Sequence, residues 1–349
     1  LAGRRTGTEG ELQATAYVAA YLDSLGLQPA GDEGSWFQSF EFTAGVALGP
    51  NNRLAWNDRV YELDRAWRPL AFSHPGPVEP ASVVFAGYGI TAPAEDGDAT
   101  DQQGEYDSYV HLDVRDKWVL VFRYVPEDVP PKRRQHLSRY ASLRFKVMVA
   151  RDQGARGLIV VTGPTAKARE SLIPLRFDGS LAGSSLPVIS VTDEVAQQWL
   201  ATADKQLPQL QRELDAGQPA MGFGLEQVEL SAAIDIDRVQ RSGRNVLGRL
   251  QVGTQPTDEV VVVGAHVDHL GKGDNSSSLA RDDEREGIHY GADDNASGVA
   301  AMLEIAEHLA HQVDEATWQP RRDVLFAAWS GEEIGLIGAS HFVESWSPV

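Results

Sequence analysis

Three short polar clusters carry the residues best suited to chemistry. Ala265-His266-Val267-Asp268-His269-Leu270-Gly271 follows the apolar run Val260 to Val263. Gly291-Ala292-Asp293-Asp294-Asn295-Ala296-Ser297-Gly298 opens a stretch with helical spacing, and Ser330-Gly331-Glu332-Glu333-Ile334-Gly335 follows the apolar run Val324 to Trp329. Imidazole nitrogens and carboxylate oxygens are the donors zinc takes where thiolates are absent, and the chain contains no cysteine. That absence also excludes a disulfide framework and thiol catalysis. A carboxylate shared by two cations is the usual centre of a two-metal site, with the ions about 3.5 to 4 Å apart. In Glu332-Glu333 the neighbouring side chains diverge, so one can ligate while the other draws a proton from bound water. Taken singly, each cluster has an ordinary structural reading: a histidine at a strand end, a turn with a helix cap at Asp293 or Asn295, a solvated glutamate pair. Three in succession at the ends of apolar runs favour a metal site.

The elements that must position these clusters are legible in the hydropathy pattern. Val260 to Val263 and Val324 to Trp329 read as buried strands, and Asn245-Val246-Leu247-Gly248 to Val252 as another. Val299, Met302, Leu303, Ala306, Leu309 and Ala310 mark one face of a helix that Asn295 or Ser297 could cap. In open α/β sheets ligands bind beyond the carboxyl ends of the strands, which places all three clusters on one edge. Upstream, Thr8 and Glu11 have capping-box spacing before a helix whose apolar face runs from Leu12 to Leu25, and Gly26 stands at its end. Residues 36 to 70 read as small strands with turns, and His74 to Pro80 as a boundary. Ser82 to Gly89, Trp118 to Phe122, Gly157 to Val161 and Leu186 to Val191 read as strands of a middle segment. Lys132 to Arg156 reads as basic and helical, with Lys132-Arg133-Arg134 on a surface helix. Residues 94 to 116 read as an acidic loop, and 271 to 287 as a solvated one. Strands alternating with helices, some continuously apolar, imply an α/β sandwich around a mixed, largely parallel sheet.

Composition narrows the class. The chain has 349 residues, 50 acidic against 31 basic, for a formal charge of −19. Such a surface repels phosphate backbones, which argues against nucleic acid as a partner. No apolar run approaches the ~18 to 20 residues that cross a bilayer. A serine hydrolase is disfavoured by the absence of a Gly-x-Ser-x-Gly elbow, and turns such as Gly87-Tyr88-Gly89 lack the context of a dinucleotide fingerprint.

The order His266-Val-Asp268, Gly291-Ala-Asp-Asp294-Asn-Ala-Ser-Gly298, Glu332-Glu333-Ile-Gly335 resembles the di-zinc aminopeptidases of the aminopeptidase Y and glutamate carboxypeptidase group. Arg4-Arg5-Thr6-Gly7-Thr8-Glu9-Gly10 and Asn245-Val246-Leu247-Gly248 are further matches. The middle segment, with Phe85 to Gly89 and Gly154 to Ile159, resembles the protease-associated (PA) domain often inserted in such enzymes. The resemblance implies a three-layer zinc exopeptidase core in two segments, 1–78 and 207–349, around a β-rich PA-type domain at 79–206. It makes His266 a ligand of one zinc, Asp294 the bridging carboxylate, Glu333 a ligand on the other side and Glu332 the general base. Asp268 becomes the acid that orients His266. Two zinc ions per complete site are implied, as is a location outside the cytoplasm, periplasmic or secreted. The expected reaction is removal of N-terminal residues from peptides by metal-bound hydroxide. A carboxypeptidase, a glutaminyl-cyclase-like relative and a non-catalytic receptor or scaffold are the alternatives. Two further ligands of the family, an Asp and a His, lie beyond the glutamate pair, and the stretch after Glu333 offers no Asp. His341 there reads as part of a helix. The expectation is therefore of a core continuing past Val349, and of a start upstream of Leu1.

Overall fold

The computed structural model describes residues 2–94, 104–167, 171–177, 183–217, 221–252, 259–273, 284, 286–318 and 320–345. The chain divides into two compact units: residues up to Gly45 together with those from Val239 onward, and Val46–Arg238 between them.

The first unit contains α1 (Glu9–Ser24), β1 (Gln28–Pro29) and β2 (Phe37–Leu48), the last of which runs on into the second unit. The second unit contains β3 (Arg53–Trp56), β4 (Arg59–Val60), β5 (Trp67–Pro69), β6 (Gly76–Phe85), β7 (Thr91–Ala92), β8 (Tyr106–Asp107) and β9 (Trp118–Phe122). There follow α2 (Pro131–Ser138), α3 (Leu143–Asp152), β10 (Gly157–Val161), β11 (Val188–Val191), α4 (Asp193–Ala201), α5 (Leu207–Asp215) and β12 (Phe223–Ile234). β13 (Ile236–Leu250) returns the chain to the first unit, completed by β14 (Val260–His266), α6 (Ser297–Asp314), β15 (Asp323–Trp329) and α7 (Ile337–Ser345).

In the first unit a mixed sheet has the order β1-β13-β15-β14, with β2 also on β13. β13 and β15 are antiparallel, and β14 and β15 are parallel with His266 level with Trp329. Alternation along the strands sends side chains to opposite faces. Val246, Val324, Phe326 and Ala328 pack with Val18 and Leu22 of α1 and Met302 and Ala306 of α6. Leu247, Leu325 and Ala327 turn the other way, to Phe342 of α7. Three layers result, as the sequence implies. One strand departs from expectation. Val260 to Val263 reads as buried, yet Val261 and Val262 are 47% and 44% exposed. The reason is position: β14 stands at the end of the strand order, with β15 as its neighbour.

The second unit is built on an eight-stranded sheet, β4-β3-β12-β6-β9-β10-β11-β5. Its centre, β6-β9-β10-β11, is parallel. The apolar runs of β9 and β10 are buried on both faces, as a covered parallel sheet requires. Phe85, Leu120, Phe122 and Ile159 face Trp199, Leu210 and Leu214 of α4 and α5, while Val84, Val119, Val121 and Val160 face Val147 and Ala150 of α3. The division of the chain differs from the expected boundaries at 78/79 and 206/207. Strands β3 and β5 lie before residue 78 and β12 after 206, yet all three pair into this sheet, as in Leu54↔Ala232, Val191↔Trp67 and Gly224↔Val84. Antiparallel flanking strands joined at long sequence separation leave no compositional boundary. Arg133, expected on a surface helix, is buried, with its guanidinium over the Tyr106 ring. Residues 95–103 of the expected acidic loop, and Asp274, Asp282 and Asp283 of the later one, lie outside the described residues.

Candidate metal centre

Each cluster sits where its element delivers it. β14 ends at His266, and Val267 N–H donates to Trp329 O at 2.7 Å, so the first cluster leaves the sheet beside the end of β15. The second cluster forms an irregular turn, Ala292–Ala296, ahead of α6, in which Asp294 (φ −115°, ψ 91°) and Asn295 (φ −137°, ψ 42°) are non-helical. Asn295 Oδ1 accepts the Gly298 N–H at 3.0 Å, although the residue that caps α6 is Ala296. Gly291 enters the turn at φ 58°, and a Cβ there would meet Asp294 O and the His269 ring at 2.6 Å. Only glycine serves this position.

The clusters converge. His266 Nε2 lies 3.0 Å from Asp294 Oδ1, and His269 Nδ1 lies 2.5 Å from Glu333 Oε1. His269, Asp294 and Glu333 each present a donor atom, all within 4.8 Å of one another. Asp294 therefore stands within reach of donors from both other segments, where a shared carboxylate would stand. This nitrogen and oxygen set suits zinc. His269 was given no role by sequence reasoning. It lies three residues from His266 on an irregular segment, where no periodicity predicts which way it turns.

Electrostatics follow from burial. Glu333 is pushed above the ordinary glutamate range by desolvation, against the opposing pull of His269. The neighbouring Asp268 carboxylate raises His266 to about 9, against the effect of burial. The Asp268 carboxylate itself does something the sequence does not show. Its Oδ1 is 3.7 Å from His266 Nδ1, which sits 3.2 Å from the Asp268 carbonyl oxygen instead. The carboxylate accepts from the Thr6 hydroxyl at 2.8 Å and from the backbone N–H of Glu332 and Glu333 at 3.2 and 3.4 Å. Fully buried, Asp268 orients the glutamate pair at least as directly as it does His266.

Glu332 is half-buried and lines a cavity of about 210 Å³ with Gly264, His266, Asn295, Trp329 and Leu336. Behind it, the capping box expected at Thr8 and Glu11 is replaced by another arrangement. The Thr8 hydroxyl donates to Arg5 O, and Glu11 accepts from Gly7 N–H, Arg244 N–H and the Ser330 hydroxyl at 2.7, 3.0 and 2.6 Å. Glu11 thus braces the loop that bears the glutamate pair. His341 lies within α7, its ring 6.1 Å from that of Phe40.

The chain is similar to known proteins over part of its length. Residues 245–348 match the model of peptidase family M28. The aminopeptidase NAALADL1 of Rattus norvegicus is 36% identical over 106 residues, 30% of this chain and 12% of that protein. An aminopeptidase of Pseudomonas aeruginosa (strain UCBPP-PA14) is 28% identical over 195 residues, 56% of this chain and 27% of that protein. A glutamate carboxypeptidase 2 homolog of Caenorhabditis elegans is 32% identical over 103 residues, covering 30% and 11%. The matched region is thus a small part of each of these longer relatives. Among solved structures, the aminopeptidase from Aneurinibacillus sp. strain AM-1 aligns over 98% of this chain and 62% of its own, at 19% identity and a TM-score of 0.44. The family match falls on the segment that bears all three clusters, and that segment, residues 245–348, is similar to peptidase family M28.

Proposed function

We propose that the chain carries the catalytic segment of a zinc-dependent exopeptidase, an aminopeptidase that releases N-terminal residues from peptides. The observation that carries the reading is the convergence of His266, His269, Asp294 and Glu333 beside the uncommitted carboxylate Glu332. His266 and Asp294 would hold one ion, and Asp294, Glu333 and His269 a second. Bound zinc supplies a Lewis acid for the scissile carbonyl and lowers the pKa of water toward ~7. Glu332 accepts the proton of the attacking water and passes it to the leaving amine. Asp268 fixes the backbone from which Glu332 and Glu333 project. The local excess of carboxylates favours a substrate bearing a free α-amino group.

Residues 79–206 are proposed as a PA-type insert that carries no chemistry. A periplasmic or secreted location is proposed from the family resemblance. Among the described residues no helix is long and apolar enough to cross a membrane. A second reading, a carboxypeptidase, is favoured by the carboxypeptidase names among the relatives. A panel of peptides with free and blocked termini separates the two. Cleavage that requires a free N-terminus and is lost on chelation supports an aminopeptidase. Cleavage that requires a free C-terminus supports the alternative, and no zinc-dependent cleavage of either set contradicts both.

A further inference from the structure

The Arg4-to-Gly10 motif resembles the family, but the reaction gives it no part. In the structure its first residue reaches into the centre. Arg4 is buried, and each nitrogen of its guanidinium donates to a backbone carbonyl: Nε to Val267 O at 2.9 Å, Nη1 to Tyr290 O at 2.7 Å and Nη2 to Gly291 O at 2.9 Å. Val267 lies between His266 and Asp268, and Gly291 opens the turn that carries Asp294. One planar fork therefore spans the segments of two candidate ligands. The backbone reinforces it, with His269 N–H donating to Arg4 O at 3.2 Å and Gly271 N–H to Gly3 O at 3.0 Å. The approach is so close that a Cβ on Gly3 would fall 2.2 Å from Gly271 O. Two residues on, Thr6 holds Asp268 and accepts the Gly331 N–H at 3.1 Å, reaching the third segment.

We propose that Arg4 is a positioning residue that holds the His266 and Asp294 segments at their ligating separation, so that zinc affinity depends on it. This rests on the metal-centre reading above. Arginine suits the task because its rigid fork serves three acceptors in one plane, whereas a lysine ammonium is a single point donor on a flexible stem. Groups that orient metal ligands contribute about 10- to 100-fold in metal affinity.

The test measures zinc binding to the whole chain by competition with a chromogenic chelator, together with the visible absorption of the cobalt-substituted protein. Thermal melting of the metal-free protein is followed in parallel. Arg4→Ala and Arg4→Lys are both expected to bind zinc about 10- to 100-fold more weakly, with an altered cobalt spectrum. Added methylguanidinium should restore part of the affinity of Arg4→Ala but none of that of Arg4→Lys. If Arg4→Ala does not fold, Arg4→Lys carries the test on the same criterion. Wild-type affinity and an unchanged cobalt spectrum in a folded variant would overturn the proposal. Failure of the wild-type chain itself to bind zinc would overturn the metal-centre reading, and the proposal with it.

Discussion

The carboxylate of Asp268 accepts the backbone N–H of Glu332 at 3.2 Å, so a residue at the end of one strand sets the backbone of the loop after another. This relationship fixes the spacing between the histidine-bearing and glutamate-bearing segments. Asp268→Asn places an amide N–H₂ where one of two acceptor oxygens stands. We expect zinc affinity and kcat/KM each to fall about 10- to 100-fold, the effect usual for groups that orient ligands. Zinc titration and steady-state kinetics check this, and unchanged values would remove Asp268 from the role.

Thr6 extends the same bracing. Thr6→Val preserves shape but leaves the Gly331 N–H without its acceptor and removes the closer of two donors from Asp268 Oδ2. Such a buried orphan costs about 1 to 3 kcal/mol, which calorimetric melting will register. Thr6→Ser should melt close to wild type, and equal melting of Thr6→Val would contradict the account.

Glu11 gives stability a pH dependence of defined sign. Burial raises its carboxyl above the ordinary range despite three donors. A carboxyl raised in the fold stabilises fully below its unfolded value of about 4.3, and the contribution is lost as pH rises through the folded value. The melting temperature of wild type relative to Glu11→Gln should therefore decline from pH 4 towards 8. A difference that is flat or rises with pH refutes this assignment.

Position in the sheet separates two kinds of valine and leucine. Leu325 of β15 is fully buried, and Leu325→Ala should cost about 2 to 5 kcal/mol. Val262, 44% exposed on β14, should accept threonine within about 0.5 kcal/mol. Denaturant melts of both variants test the contrast, and comparable losses would mean that β14 is covered.

Much of this was legible in the sequence. The strands at Val260 to Val263 and Val324 to Trp329 and the helix after Ser297 stand where the apolar pattern puts them, because such patterns mark the elements themselves. His269, Arg4 and Glu11 were not assigned their parts. Their side chains act across 64, 286 and 319 residues, on Glu333, Tyr290 and Ser330, and no local pattern encodes such separations. The exposure of Val261 and Val262 escaped for a related reason. Strand order, and not the strand itself, decides which run of valines is covered.

The most direct test of the central claim is Glu332→Gln. Its turnover of a peptide with a free N-terminus is measured beside its zinc content. The account predicts zinc bound at the wild-type level and a rate lower by at least about 10²-fold, the loss expected with a general base. Wild-type turnover with zinc in place would contradict it.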